Sequence, residues 1–285
     1  LLLGVGTIVS GCASQSRRPS TGTATGATSP SPGSSVTAGA APSVDDLPVV
    51  RPWVPSPNDR EPGCKVAAVR HVERAGTSPS RVVQVIDAQY GGLLTDSASV
   101  LVITRSWHRA GGHVLQGGRT FDVRLTRRGA RWRVDAVHPS RPGLPAHRLS
   151  PLARRVLASD RIDLPPAARS DVESGNVHAS VLTAMLAVAR AHRIGVSVLR
   201  SGHPLFVFGT HRPSDHPQGR AFDTWRIGAH AVVDARTSRQ LVTDYMHAVA
   251  AAGSYNVGGP YLLGAPPQWF SDDTHHDHVH AGFRD

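Results

Sequence analysis

The chain is 285 residues long, with a formal net charge of +10 and a 40% apolar fraction, enough for one or two ordinary domains. No run beyond the N-terminus is long enough to cross a bilayer as a helix. The positive charge is almost all arginine, Lys65 being the only lysine, and it is scattered rather than gathered into a stripe. That argues against nucleic acid as a partner and leaves attraction to anionic lipid or wall polymers. The two cysteines, Cys12 and Cys64, form neither a metal-type pair nor a disulfide framework.

Residues 1–9 form a short apolar run that ends in Val9-Ser10-Gly11-Cys12. The run is too short to span a membrane and reads as a signal-peptide core, with residues 1–12 as the signal segment. Small residues before a cysteine resemble a bacterial lipobox. The resemblance implies lipidation at Cys12 and anchoring at the outer face of the cytoplasmic membrane. Residues 13–60 are rich in Ser, Thr, Gly, Ala and Pro, have little to bury, and are expected to form a disordered tether.

Residues 61–140 read as a small α+β domain. A helix is expected over 78–90, with Ser78 or Ser80 near its N-cap. Strands follow at 98–106, 120–125 and 132–137, separated by turns at Gly111-Gly112, Gly117-Gly118 and Arg128-Gly129. A helix followed by an antiparallel meander resembles the cone-shaped fold of the nuclear transport factor type. No catalytic constellation is visible there; His108 and His113 read as exposed loop residues. The region is expected to be a spacer or a protein contact, dispensable for chemistry.

The proline-rich stretch 139–145 reads as a boundary, and residues 146–285 as a second domain. Helices are expected at 151–158, at 176–192 from the stripe Val177, Val181, Leu182, Met185, Leu186 and Val188, and at 238–252, ending at Gly253. Strands are expected at 196–199, 221–225 and 277–283. Helices that precede and interrupt mostly antiparallel strands make an α+β class.

The chemistry concentrates in Ser214-Asp215-His216-Pro217-Gln218-Gly219-Arg220-Ala221-Phe222-Asp223 and, near the C-terminus, Asp277-His278-Val279-His280. Two imidazoles and a carboxylate suit zinc and leave a position open, and a further acid can manage protons. Gly219 allows a tight turn between two such ligands. Ser-x-His-x-x-Gly-x-Ala-x-Asp followed by Asp-x-x-His resembles the D-alanyl-D-alanine peptidase family, of the zinc group that includes lysostaphin-type enzymes and hedgehog domains. The resemblance covers roughly half the chain, about residues 150–285. It implies an antiparallel zinc-peptidase fold in which His216, Asp223 and His280 hold Zn2+, Asp277 is the general acid/base, and Ser214 helps hold substrate. The implied substrates are amide bonds of peptidoglycan stem peptides or cross-bridges.

The match has departures. Many relatives carry Ser-Gly-Tyr-Arg upstream, where this chain has Ser201-Gly202-His203-Pro204, so Arg212 or Arg200 is expected to face substrate instead. The tryptophan usual before the last histidine is Val279. The pair His278-x-His280 also resembles the lysostaphin-type branch, which makes His278 the alternative catalytic residue. His275 and His276 read as surface or supporting groups. The rival function is a non-catalytic, zinc-containing wall-binding or scaffold lipoprotein.

Overall fold

The first helix, α1 (Pro62–Gly76), begins with proline in its opening turn, where the missing N–H has no helical partner to lose. Its spacing puts Cys64, Lys65, Ala68, Val69 and Val72 on one buried face. In the computed structural model, which describes residues 46–284, that face lies on an antiparallel sheet. The strands are β1 (Arg81–Leu93), β2 (Ser97–Ala110), β3 (His113–Gly117), β4 (Thr120–Arg128) and β5 (Arg131–Pro139), in the order β1-β2-β4-β5 with β3 on β2. Val85, Tyr90, Val100, Val102, Val123 and Leu125 fill the space beneath α1.

The helix expected at 78–90 is not there: those residues enter β1, which pairs with β2 from Arg81↔His108 to Leu93↔Ala98. The β-branched run Val82, Val83, Val85 and Ile86 loses side-chain freedom in a helix and packs well on a pleated surface. The region's helix lies earlier, over a stretch the sequence reading leaves without an element. The tether is also shorter than expected. Trp53 packs against the α1 core and Asp59 is buried, because a large ring and a carboxylate with a partner give 46–60 something to bury. The rest of the tether, and the signal segment with Cys12, lie outside the described residues.

The remaining elements are α2 (Pro151–Leu157), β6 (Ile162–Asp163), α3 (Pro166–Glu173), α4 (Ala179–Val188), β7 (Ile194–Val196), β8 (Ala221–Ile227), β9 (His230–Ala231), α5 (Arg239–Ala251), β10 (Asn256–Gly258), β11 (Trp269–Phe270) and β12 (Val279–Gly282). Ser150 and Ser238 cap α2 and α5 by accepting from backbone N–H groups three residues on. The second sheet runs β11-β10-β12-β8-β7-β6, with β9 on β8. Its pairings are antiparallel except β10–β11 and β6–β7. The class is therefore α+β with antiparallel sheets, as expected.

Alternation along the two central strands sorts their side chains. Phe222, Val279 and Ala281 join the core formed with α4 and α5, including Met185, Tyr245 and Met246. Asp223, His278 and His280 consequently belong to the other face. That face is covered by the first sheet. Leu101 and Ile103 of β2 pack with Val198, and Ile86 of β1 joins them. The described residues 46–284 accordingly form one compact unit across the 139–145 stretch.

Candidate metal centre

The loop before β8 delivers His216. Residues 216–218 make one 3-10 turn, and Gly219 closes it with φ +73°. A Cβ there would stand 2.1 Å from the Asn176 carbonyl oxygen, so the position is restricted to glycine by both conformation and space. Tyr255 fixes the loop from below, donating its hydroxyl to Asp215 at 2.6 Å. His216 is fully buried, and its Nδ1 donates to the Leu199 carbonyl at 2.7 Å. Committing Nδ1 as the donor leaves a lone pair on Nε2.

Antiparallel pairing of β8 with β12 sets His280 directly opposite Asp223. The three groups then converge. His216 Nε2 is 3.1 Å from Asp223 Oδ1 and 3.1 Å from His280 Nδ1, and His280 Nδ1 is 3.0 Å from Asp223 Oδ1. Ligands around a tetrahedral zinc ion stand about 3.3 Å apart, given bonds of about 2.0–2.1 Å. The donor set therefore fits a metal ion: two nitrogens and a carboxylate oxygen crowd one point, and a cation there supplies the positive charge they face. Burial pushes His280 down to about 4, and burial with the nearby His216 holds His203 well below its ordinary value. For His280 the shift favours the neutral form that ligation needs. Burial would raise Asp223, but the His216 and His278 rings hold it well below the usual carboxylate range.

His203, not anticipated from sequence, belongs to the same cluster. Ligand atoms of His203, His216 and Asp223 all lie within 4.8 Å of one another. Its ring, however, stacks on His216 at 4.2 Å with planes 15° apart. Its lone pairs lie in a plane nearly parallel to that of His216, which disfavours both rings pointing at one ion. Its Nδ1 is engaged by the Pro204 carbonyl at 3.0 Å and by Ser214 Oγ at 3.3 Å.

Asp277 and His278 precede the regular part of β12 and divide their roles. His278 Nδ1 donates to Asp277 Oδ1 at 2.6 Å, while its Nε2 lies 3.8 Å from Asp223 Oδ2. Asp277 Oδ2 accepts from the Tyr90 backbone N–H at 3.1 Å and from Lys65 Nζ at 2.7 Å. Both carboxylate oxygens are thus engaged away from the three-ligand point. Burial alone would raise Asp277, but Lys65 and then His278 hold it well below the carboxylate range. His278 is shifted upward: burial pulls it down, and Asp223 and Asp277 outweigh that.

The cluster opens into a groove of about 600 Å³ that Ser214, Arg212, His275, Phe208 and Phe270 help to line. Arg212 and Ser214 thus stand on the wall of this groove. Arg200 is turned elsewhere, its backbone N–H on Asp171 and its guanidinium on the Pro142 carbonyl. His275 pairs with Asp272, and His276 accepts from the Arg60 N–H and packs on Tyr90, both in supporting places.

The expectation that residues 61–140 hold no part of the site is not met. Lys65, Gln89 and Tyr90 all touch its carboxylates. No local motif marks them; the one signal available was that Lys65 is the single lysine of an arginine-rich chain. Comparison with known proteins adds no relative: no family model, curated protein or solved structure matches the chain.

Proposed function

We propose that the protein is a zinc-dependent peptidase acting on amide bonds of peptidoglycan stem peptides or cross-bridges. The observation that carries this reading is the convergence of His216 Nε2, Asp223 Oδ1 and His280 Nδ1 to within 3.1 Å at the floor of an open groove. Three protein ligands and an open side belong to catalytic rather than structural zinc. The order of these residues in the chain is that of the D-alanyl-D-alanine peptidase family.

A bound zinc ion would polarise the scissile carbonyl and make water acidic enough to attack at neutral pH. The chain's own part is proton transfer and orientation. His278 Nε2 takes the proton from the attacking water and returns it to the leaving amine nitrogen as the carbon–nitrogen bond breaks. Asp277 accepts from Nδ1, fixing the tautomer and steadying the charged ring. This assigns the acid/base role to His278 rather than to Asp277, whose oxygens are already committed. Ser214 and Arg212 line the path a peptide would take, with Arg212 supplying positive charge to an acidic substrate. The Val9–Cys12 segment supports a lipid-anchored location in the cell envelope.

The scaffold reading draws its support from His203, which as a fourth ligand would close the site. The stacked ring geometry weighs against it. Metal analysis separates the two. Protein purified without chelator should carry about one zinc per chain. His216→Ala should lose most of it and His203→Ala should keep it. A His203→Ala variant stripped of metal would favour the closed scaffold site, and a His216→Ala variant with full metal would remove the ligand set altogether.

A further inference from the structure

The proposed metal centre is braced from behind by the other half of the chain. Gln89 on β1 is 1% exposed and donates from Nε2 to Asp223 Oδ2 at 2.6 Å. Its other end, Oε1, accepts from the hydroxyl of Ser197. Ser197 in turn donates its backbone N–H to the Asp223 carbonyl at 3.0 Å. The amide is therefore clamped between the strand that carries Asp223 and a neighbour of that strand. The oxygen it holds, Oδ2, is the one that does not face His216 and His280.

The contacts on either side show that β1 is seated against the site and not merely near it. Tyr90 N–H reaches Asp277, and Leu93 N–H reaches Thr274 Oγ1 at 3.0 Å. Gly92 passes so close to the loop walling the groove that a Cβ would lie 2.1 Å from Phe208 Cβ.

We propose that Gln89 is a positioning residue of the metal centre: by holding Oδ2 it presents Asp223 to the ion through Oδ1 alone, so the centre is a composite that needs residues 59–93. The inference rests on the metal-centre reading above. A carboxylate with both oxygens unrestrained can swing between one-oxygen and two-oxygen ligation. A donor on one oxygen selects the first and fixes the plane. The neutral amide does this without neutralising the carboxylate, which an arginine or lysine in the same place would do. An uncharged amide at this position therefore serves orientation rather than charge.

The test uses the full chain and the metal alone. Zinc affinity is measured by competition with a chromogenic chelator, and ligand geometry by the visible absorption of the cobalt-substituted protein. Gln89→Met keeps the volume and removes the donor. It should bind zinc about ten- to a hundredfold more weakly and shift the cobalt bands. Ser197→Ala, which frees the far end of the amide, should fall between that variant and the parent. Val123→Ala, a cavity in the core beneath α1, should lower thermal stability yet bind metal as the parent does. Gln89→Met and Ser197→Ala both indistinguishable from the parent in affinity and spectrum would overturn the inference. So would Val123→Ala weakening zinc as much as Gln89→Met, since the effect would then be one of general stability. Should Gln89→Met not fold, Ser197→Ala decides by the same criteria. A parent that takes up no metal overturns the metal-centre reading and this inference together, whereas a zinc-loaded parent with parent-like variants overturns this inference only.

Discussion

His278→Ala is expected to retain its zinc and lose peptide hydrolysis by about 10²–10⁴-fold, the usual contribution of a positioned general acid/base. The variant leaves all three converging ligand atoms in place. It removes the one imidazole whose free nitrogen faces the site while its other nitrogen is tied to a buried carboxylate. Asp277→Asn should reduce turnover too, through loss of the correct tautomer. The assignment separates cleanly from its alternative by comparing the two. Were Asp277 the proton carrier itself, its alanine variant would show the full loss and His278→Ala would stay active. Metal content measured alongside activity keeps ligand loss from being mistaken for loss of a proton carrier.

The second large effect is on stability. Lys65 is 2% exposed and bonds Asp277 at 2.7 Å and Asp59 more closely, with the Tyr90 ring 4.5 Å away. Lys65→Met leaves two buried carboxylates without their cation, which should lower stability by about 3–5 kcal/mol. Asp277→Asn placed in the same chain should recover part of the loss, with a coupling of about 0.5–3 kcal/mol. The pH dependence has a definite sign. Asp277 is held below its ordinary value in the folded state, so it contributes stability that is present above about pH 4 and lost as pH falls toward the folded value. The gap between parent and Lys65→Met should therefore be widest near neutrality and narrow in acid, where Asp277 takes up its proton. A gap that stays constant from neutral to acid pH in thermal denaturation would show that Lys65 acts through packing, not through its charge.

What was legible in the sequence was local. The 214–223 segment carries its own geometry: a histidine, a glycine that must turn left-handed, and a strand that turns its aspartate away from the helix-covered core. Alternation at Val279, His280 and Ala281 likewise puts the last histidine on the side opposite the core. The apolar stripe through Val181 and Met185 is a signal of the same short range.

What was not legible depends on partners far away in the chain. The orientation of Asp277 is set by Tyr90 and Lys65, so its spacing from His280 indicated presence at the site and not function. Gln89 has no meaning until β1 is laid against β8, and β1 itself was misread because a β-branched run of that length can be taken for a helix. Residues 61–140 looked self-sufficient because their alternation predicts a sheet with one buried face. Leu101 and Ile103 on the second face, packed against Val198, are what join them to the site.

The most direct measurement is digestion of purified peptidoglycan by the zinc-loaded full chain, with products resolved by mass spectrometry. Release of D-alanine or of shortened or uncrosslinked stem peptides, abolished by a chelator and by His278→Ala, is the predicted result. An unchanged muropeptide profile from protein carrying about one zinc per chain would contradict a hydrolytic role and leave the metal centre a structural one.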